Sequence, residues 1–168
     1  MSARRRKGCE MKTFRAYLFF FLMIVLLSSI GVAAEKAVKG FTADLDGRHV
    51  IPAVRTSARG KAVFHIDDSG KMEYTLTVQG IENVTAAHIH QGKKTRNGPP
   101  EVLLFTGPAK AGKFSGVLAK GVVTPDKMVG PLKGKTVEDL IEMIQRGDAY
   151  VNVHTEKYPD GEIRGQIK

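Results

Sequence analysis

Between Lys71 and Gly80 the chain reads KMEYTLTVQG, in which Met72, Tyr74, Leu76 and Val78 alternate with Glu73, Thr75, Thr77 and Gln79. Side chains on a strand repeat every second residue, so this order buries one face and wets the other. Comparable runs lie at 41–45, 61–66, 83–90, 102–105, 114–119, 149–154 and 162–167, separated by Gly, Pro, Asn and Asp. About eight short strands with turn residues between them predict an all-β sandwich or barrel. One segment departs from the pattern. TVEDLIEMIQRG sets Val137, Leu140, Ile141 and Ile144 on one helical stripe, with Thr136 and Asp139 spaced as a capping box and Gly147 at the stop. A short helix over about 137–146 is expected there, covering an open end of the sheets.

The N-terminal stretch has a different character. Arg4, Arg5, Arg6, Lys7, Lys12 and Arg15 precede the apolar run YLFFFLMIVLL at 17–27, which leads to the small-residue exit Val32-Ala33-Ala34. Charged, apolar and small segments in that order make a secretory signal peptide, and residues 1–34 are read as one, with cleavage after Ala34. Uncleaved, the same stretch would act as a membrane anchor, near the lower length limit for a spanning helix. Met11 also opens a complete leader, so translation starts at Met1 or Met11. The mature domain is then 35–168, exported by the general secretory route to the periplasm or the cell exterior.

Removing the leader changes what charge and thiol content mean. It holds six basic residues and one acid, so the formal charge falls from +9 for the whole chain to +4 for residues 35–168. No Lys/Arg stripe with interleaved aromatics remains, which argues against a nucleic-acid partner. The single cysteine, Cys9, lies upstream of the apolar run. The mature domain therefore has no disulfide and no thiolate, and its stability has to come from its core.

All five histidines fall in the mature domain, and two of them form His88-Ile89-His90. On a strand His88 and His90 point to the same side, where two imidazoles can chelate one ion. Imidazole suits copper, zinc, nickel and iron. The same H-x-H also occurs as a pair of hydrogen-bonded or solvated histidines. His154 ends the run AYVNVH on its more polar side and is the third candidate ligand. The following turn with Pro159, Asp160 and Gly161 predicts a hairpin that sets His154 opposite Glu162, Asn152 opposite Arg164 and Tyr150 opposite Gln166. That register would gather an imidazole, a carboxylate and a guanidinium, with Asn152, Glu162 and Arg164 supporting the site or Arg164 attracting an anion to it. Alternatively, Glu162 and Arg164 form a local ion pair. His65 is read as a surface residue, His49 as a loop residue, and Asn83-Val84-Thr85 as a glycosylation sequon. The basic Gly/Pro-rich segment 91–100 is expected to frame a pocket or to stand as a solvated loop.

Taken in order, FTADLDGRHVIPAVRTSARGKAVFHID, VTAAHIHQG, NGPPEVLLF and AYVNVHTEKYPDGEIRGQI closely resemble the CHRD domain, the module named after chordin. The resemblance spans nearly all of the mature chain. It implies an immunoglobulin-like Greek-key β-sandwich with limited similarity to copper-zinc superoxide dismutase, whose copper strand also carries H-x-H. By that similarity His88, His90 and His154 match three copper-binding histidines. A fourth histidine bridging to zinc, and a zinc loop, have no counterpart here. Three functions are compatible with the residues. The first is an exported module binding copper or another divalent metal, without settled catalysis; the second is a copper-dependent redox enzyme in which Arg164 steers an anion. The third is a metal-free adhesion or matrix module, with an unknown extracellular ligand, whose histidines hydrogen-bond loop carbonyls.

Overall fold

The computed structural model describes residues 39–168. The signal segment and its cleavage point lie outside the described residues. Seven strands carry the fold: β1 (Lys39–Asp46), β2 (Arg59–Ile66), β3 (Met72–Gln91), β4 (Pro100–Phe105), β5 (Lys110–Val122), β6 (Ala149–Thr155) and β7 (Ile163–Gln166). All pairings among them are antiparallel.

The count is seven rather than eight because the runs at 72–79 and 83–90 are one strand of 20 residues. Gly80 (φ 64°) and Asn83 (φ 51°) adopt left-handed backbone at its middle. There the register against β5 slips twice, between Val78 and Ile81 and again between Glu82 and Val84. Such bulges bend a strand without ending it. The front half of β3 pairs with β2 and β5, and its rear half pairs with β4 and β6. β3 therefore passes from one layer of the sandwich to the other. The ring β1–β2–β3–β6–β7 closes on itself where Asp46 faces Arg164 and where Thr42 and Lys168 exchange backbone hydrogen bonds of 2.8 and 2.9 Å.

Phe64, Leu76, Ile81, Ile89, Val151, Val153 and Ile163 fill the space between the layers and are fully buried. Each such side chain contributes about 1.5–3 kcal/mol relative to leaving it in water. The helix α1 (Val137–Gln145) is capped as its residues predict: Thr136 and Asp139 form a reciprocal capping box. At the other end Gly147 (φ 72°) donates to Ile144 O and Asp148 to Met143 O, a Schellman stop. Leu140, Met143 and Ile144 join the core, and the stop delivers the chain directly into β6. Among the described residues no helix is long and apolar enough to cross a membrane.

Candidate metal centre

Rows of residues running across the rear sheet place the site. His88 on β3 faces Asn152 on β6, which faces Arg164 on β7; His90 faces Tyr150, which faces Gln166; Ala86 faces His154. Their chain neighbours Ala87, Ile89, Val151, Val153 and Ile163 point the other way and are 0 % exposed. The histidines therefore occupy the outer face of a sheet whose inner face is core. This outer face is not open to water: His90, Tyr150, Asn152 and Arg164 are all buried.

The three imidazoles converge. Ring centroids are 5.6 Å apart for His88–His90, 5.1 Å for His88–His154 and 5.6 Å for His90–His154. One nitrogen from each ring lies within 4.8 Å of the others. Nitrogens around a tetrahedral ion with bonds of about 2.0–2.1 Å sit roughly 3.3 Å apart.

Two backbone carbonyls orient two of the rings. His90 Nδ1 donates to Gly98 O at 2.9 Å, and His154 Nδ1 donates to Pro159 O at 2.8 Å. A carbonyl only accepts, so Nδ1 carries the proton in both neutral rings and Nε2 is left with its lone pair. Both Nε2 atoms are buried and have no hydrogen-bond partner. Metal-ligating histidines commonly donate their other ring N–H to a carbonyl in this way. Burial lowers all three pKa values. His88 is pushed down to about 4, first by burial and then by His154 and His90. Burial outweighs the opposing pull of the carbonyl bonds at His90 and His154. Around neutral pH the cluster is three uncharged donors.

The covering loops are held by the residues between the histidines. Asn152 Nδ2 donates to Asp160 O at 2.9 Å and fixes the 155–162 turn that carries the Pro159 carbonyl. At Gly161, where φ is 122°, an added Cβ would collide with the Asn152 amide. The 92–99 loop is tied down by Arg164, whose guanidinium donates to Lys93 O, Arg96 O and Asn97 Oδ1 at 2.8–2.9 Å. Tyr150 completes the tie. Its ring stacks on His90 with centroids 5.1 Å apart, its hydroxyl accepts from Gly98 N at 3.2 Å, and the Arg164 cation lies 3.5 Å from its centre. The segment 91–99 also lines a surface pocket of about 610 Å³.

The expected grouping of imidazole, carboxylate and guanidinium does not form. Asn152 faces Arg164 and Tyr150 faces Gln166 as predicted, but the β6–β7 pairing stops at Val153 and Ile163, and among the described residues Glu162 forms no ion pair with Arg164. Its carboxylate accepts from Thr56 Oγ1 at 2.6 Å and Thr155 Oγ1 at 2.9 Å, pinning the 50–58 loop to the turn. The Glu162–Arg164 ion pair is thus replaced by hydroxyl and carbonyl partners. Arg164 is separated from His90 by the Tyr150 ring, because β6 lies between β3 and β7. His65 is exposed, and His49 sits beside Asp46 with Nδ1 3.0 Å from the carboxylate; neither joins the cluster.

An all-β sandwich carrying a lidded three-imidazole cluster on the outer face of one sheet defines a β-domain with a candidate metal-binding face. The chain belongs to the CHRD domain family, whose model matches residues 41–167. It is 33% identical over 131 residues to Chordin of Danio rerio and 29% identical over 131 residues to Chordin of Xenopus laevis. In both cases the match covers 73% of this chain and 12% of the relative, so the chain spans about an eighth of the curated proteins it matches. No solved structure matches it.

Proposed function

We propose that this protein is an exported metal-binding CHRD module that holds copper through Nε2 of His90 and His154 and a ring nitrogen of His88, as a binding protein rather than an enzyme. The observation that carries this reading is the pair of buried, unpartnered Nε2 lone pairs at His90 and His154, aimed into one cluster with His88. Leaving a buried acceptor unmade costs about 1–3 kcal/mol. Two such acceptors, beside the His88 ring, would be brought together at a loss unless something fills the space between them. Imidazoles without thiolate or carboxylate exclude the preferences of calcium and magnesium, and among first-row divalent ions affinity for such a set peaks at copper. Export follows from the leader at 1–34, which delivers residues 35–168 to the periplasm or the cell exterior.

A copper ion held there draws its positioning from this chain's own groups. The carbonyls of Gly98 and Pro159 keep the Nδ1 protons in place, and the Asn152 and Arg164 contacts hold those carbonyls. Because burial lowers the histidine pKa values, protons compete for the donors at lower pH than for an ordinary imidazole near 6.5. Calorimetric titration of the metal-free protein with copper tests the reading. One equivalent is expected to bind wild type and none to bind the His88→Ala/His90→Ala/His154→Ala variant. Equal binding by the two proteins would refute it.

A further inference from the structure

Arg164 is 2 % exposed, yet every partner it has is uncharged: the Lys93 and Arg96 carbonyls, the Asn97 amide oxygen and the face of the Tyr150 ring. The carboxylates beside it are committed elsewhere. Asp46, opposite Arg164 in the β1–β7 pairing, is hydrogen-bonded to Arg48 and to the His49 backbone, and Glu162 is held by two threonines. Among the described residues no ion pair reaches Arg164. A buried cation without a counter-ion is costly, and proteins tolerate it where an anion completes the site.

The same side chain lines a pocket of about 410 Å³ on the β1–β7 flank, with Asp44, His49, Lys94, Gln166 and Lys168. That volume lies within the range of small-molecule sites, roughly 300–1,000 Å³. Three of the five guanidinium N–H groups serve the 92–99 loop, which leaves two for a ligand. Gln166 Nε2 is spent on three carbonyls at 2.8–3.0 Å, so it forms wall. Lys94 and Lys168 supply two further cations, against the one exposed carboxylate of Asp44.

We propose that this pocket is a second binding site, for a small phosphate- or carboxylate-bearing ligand, with Arg164 as its buried cation and Lys94 and Lys168 at its rim. The Tyr150 ring stands between Arg164 and His90, so none of the three histidines lines this pocket. Nη2 gives both its N–H groups to the loop, so the free Nε–H and the second Nη1 N–H lie on different sides of the guanidinium and each offers a single hydrogen bond to an oxyanion, with Lys94 and Lys168 adding charge at the rim.

The test is calorimetry on the metal-free protein at fixed ionic strength, with inorganic phosphate and succinate titrated separately. Wild type is expected to bind one of them saturably at one equivalent. Lys94→Glu, at an exposed loop position that leaves the Arg164 contacts intact, is expected to weaken binding at least about tenfold. The triple histidine variant should bind as wild type does. Saturation by phosphate alone assigns a phosphoryl ligand, and by succinate a carboxylate. Binding of neither anion, indifference to Lys94→Glu, or loss in the triple histidine variant each overturns the proposal.

Discussion

The two halves of β3 are one strand with one inner face but two different outer faces. From Met72 to Gln79 buried and exposed residues alternate strictly, so Glu73, Thr75, Thr77 and Gln79 stand in water. From Val84 to His90 the alternation fades, because the outward residues are partly or fully covered as well. The front half needs only its core to be stable. The rear half has also taken imidazoles, an amide, a phenol and a guanidinium out of water, each requiring a partner. Backbone carbonyls of two loops supply most of these partners. The Nε2 atoms of His90 and His154, Oδ1 of Asn152 and Oε1 of Gln166 are left over. Functional chemistry is thus legible as the polar satisfaction that the covered face does not provide for itself.

Core truncation should not distinguish the halves. Leu76→Ala in front and Ile89→Ala behind are each expected to cost about 2–5 kcal/mol by urea unfolding, since both side chains are 0 % exposed on the shared inner face. A much smaller cost at Ile89 would break the claim of a common core. Acid should separate them next. The rear histidines have folded pKa values below their unfolded value of 6.5, so the unfolded chain binds more protons as pH falls from 6.5 toward 4. Stability that is full above pH 6.5 should drop by on the order of 2–3 kcal/mol by pH 4. The triple His→Ala variant should lose that slope, and a slope unchanged by the variant would place its origin elsewhere.

Gly161→Ala should cost about 2 kcal/mol or more, because the added Cβ meets the Asn152 amide and φ is 122°. Its copper affinity should fall with it, as the Pro159 carbonyl loses its position. Asn152→Ala removes the bond to Asp160 O, for which about 1–2 kcal/mol is expected in thermal unfolding. The smallest effect belongs to the wetted face: Thr75→Ala should change stability by under about 0.5 kcal/mol and leave copper binding unaltered.

How much of this the sequence announces follows the same division. The alternation at 72–78 and the capping box at Thr136 and Asp139 predict their elements because each depends on neighbours in the chain. The Asn152–Arg164 and Tyr150–Gln166 pairings are equally local, being set by a short turn. The three histidines could be singled out because two share a strand face and the third ends an alternating run. What escaped depends on loops folding back. Nothing near Glu162 in sequence marks Thr56 as its partner, 106 residues away. The Gly98 and Pro159 carbonyls that set the ring tautomers have no side-chain signature, and Tyr150 reads as an ordinary strand aromatic until its ring is found between His90 and Arg164. The bend at Gly80 and Asn83 reads in sequence as a strand end because its residues are those that also make turns.

Copper X-ray absorption on the protein loaded with one equivalent addresses the central claim most directly, since it counts the atoms bound to the ion. Three imidazole nitrogens are expected, falling to two in each single His→Ala variant at positions 88, 90 and 154. A signal from oxygen ligands alone, or three imidazoles that persist in any of those variants, would contradict it.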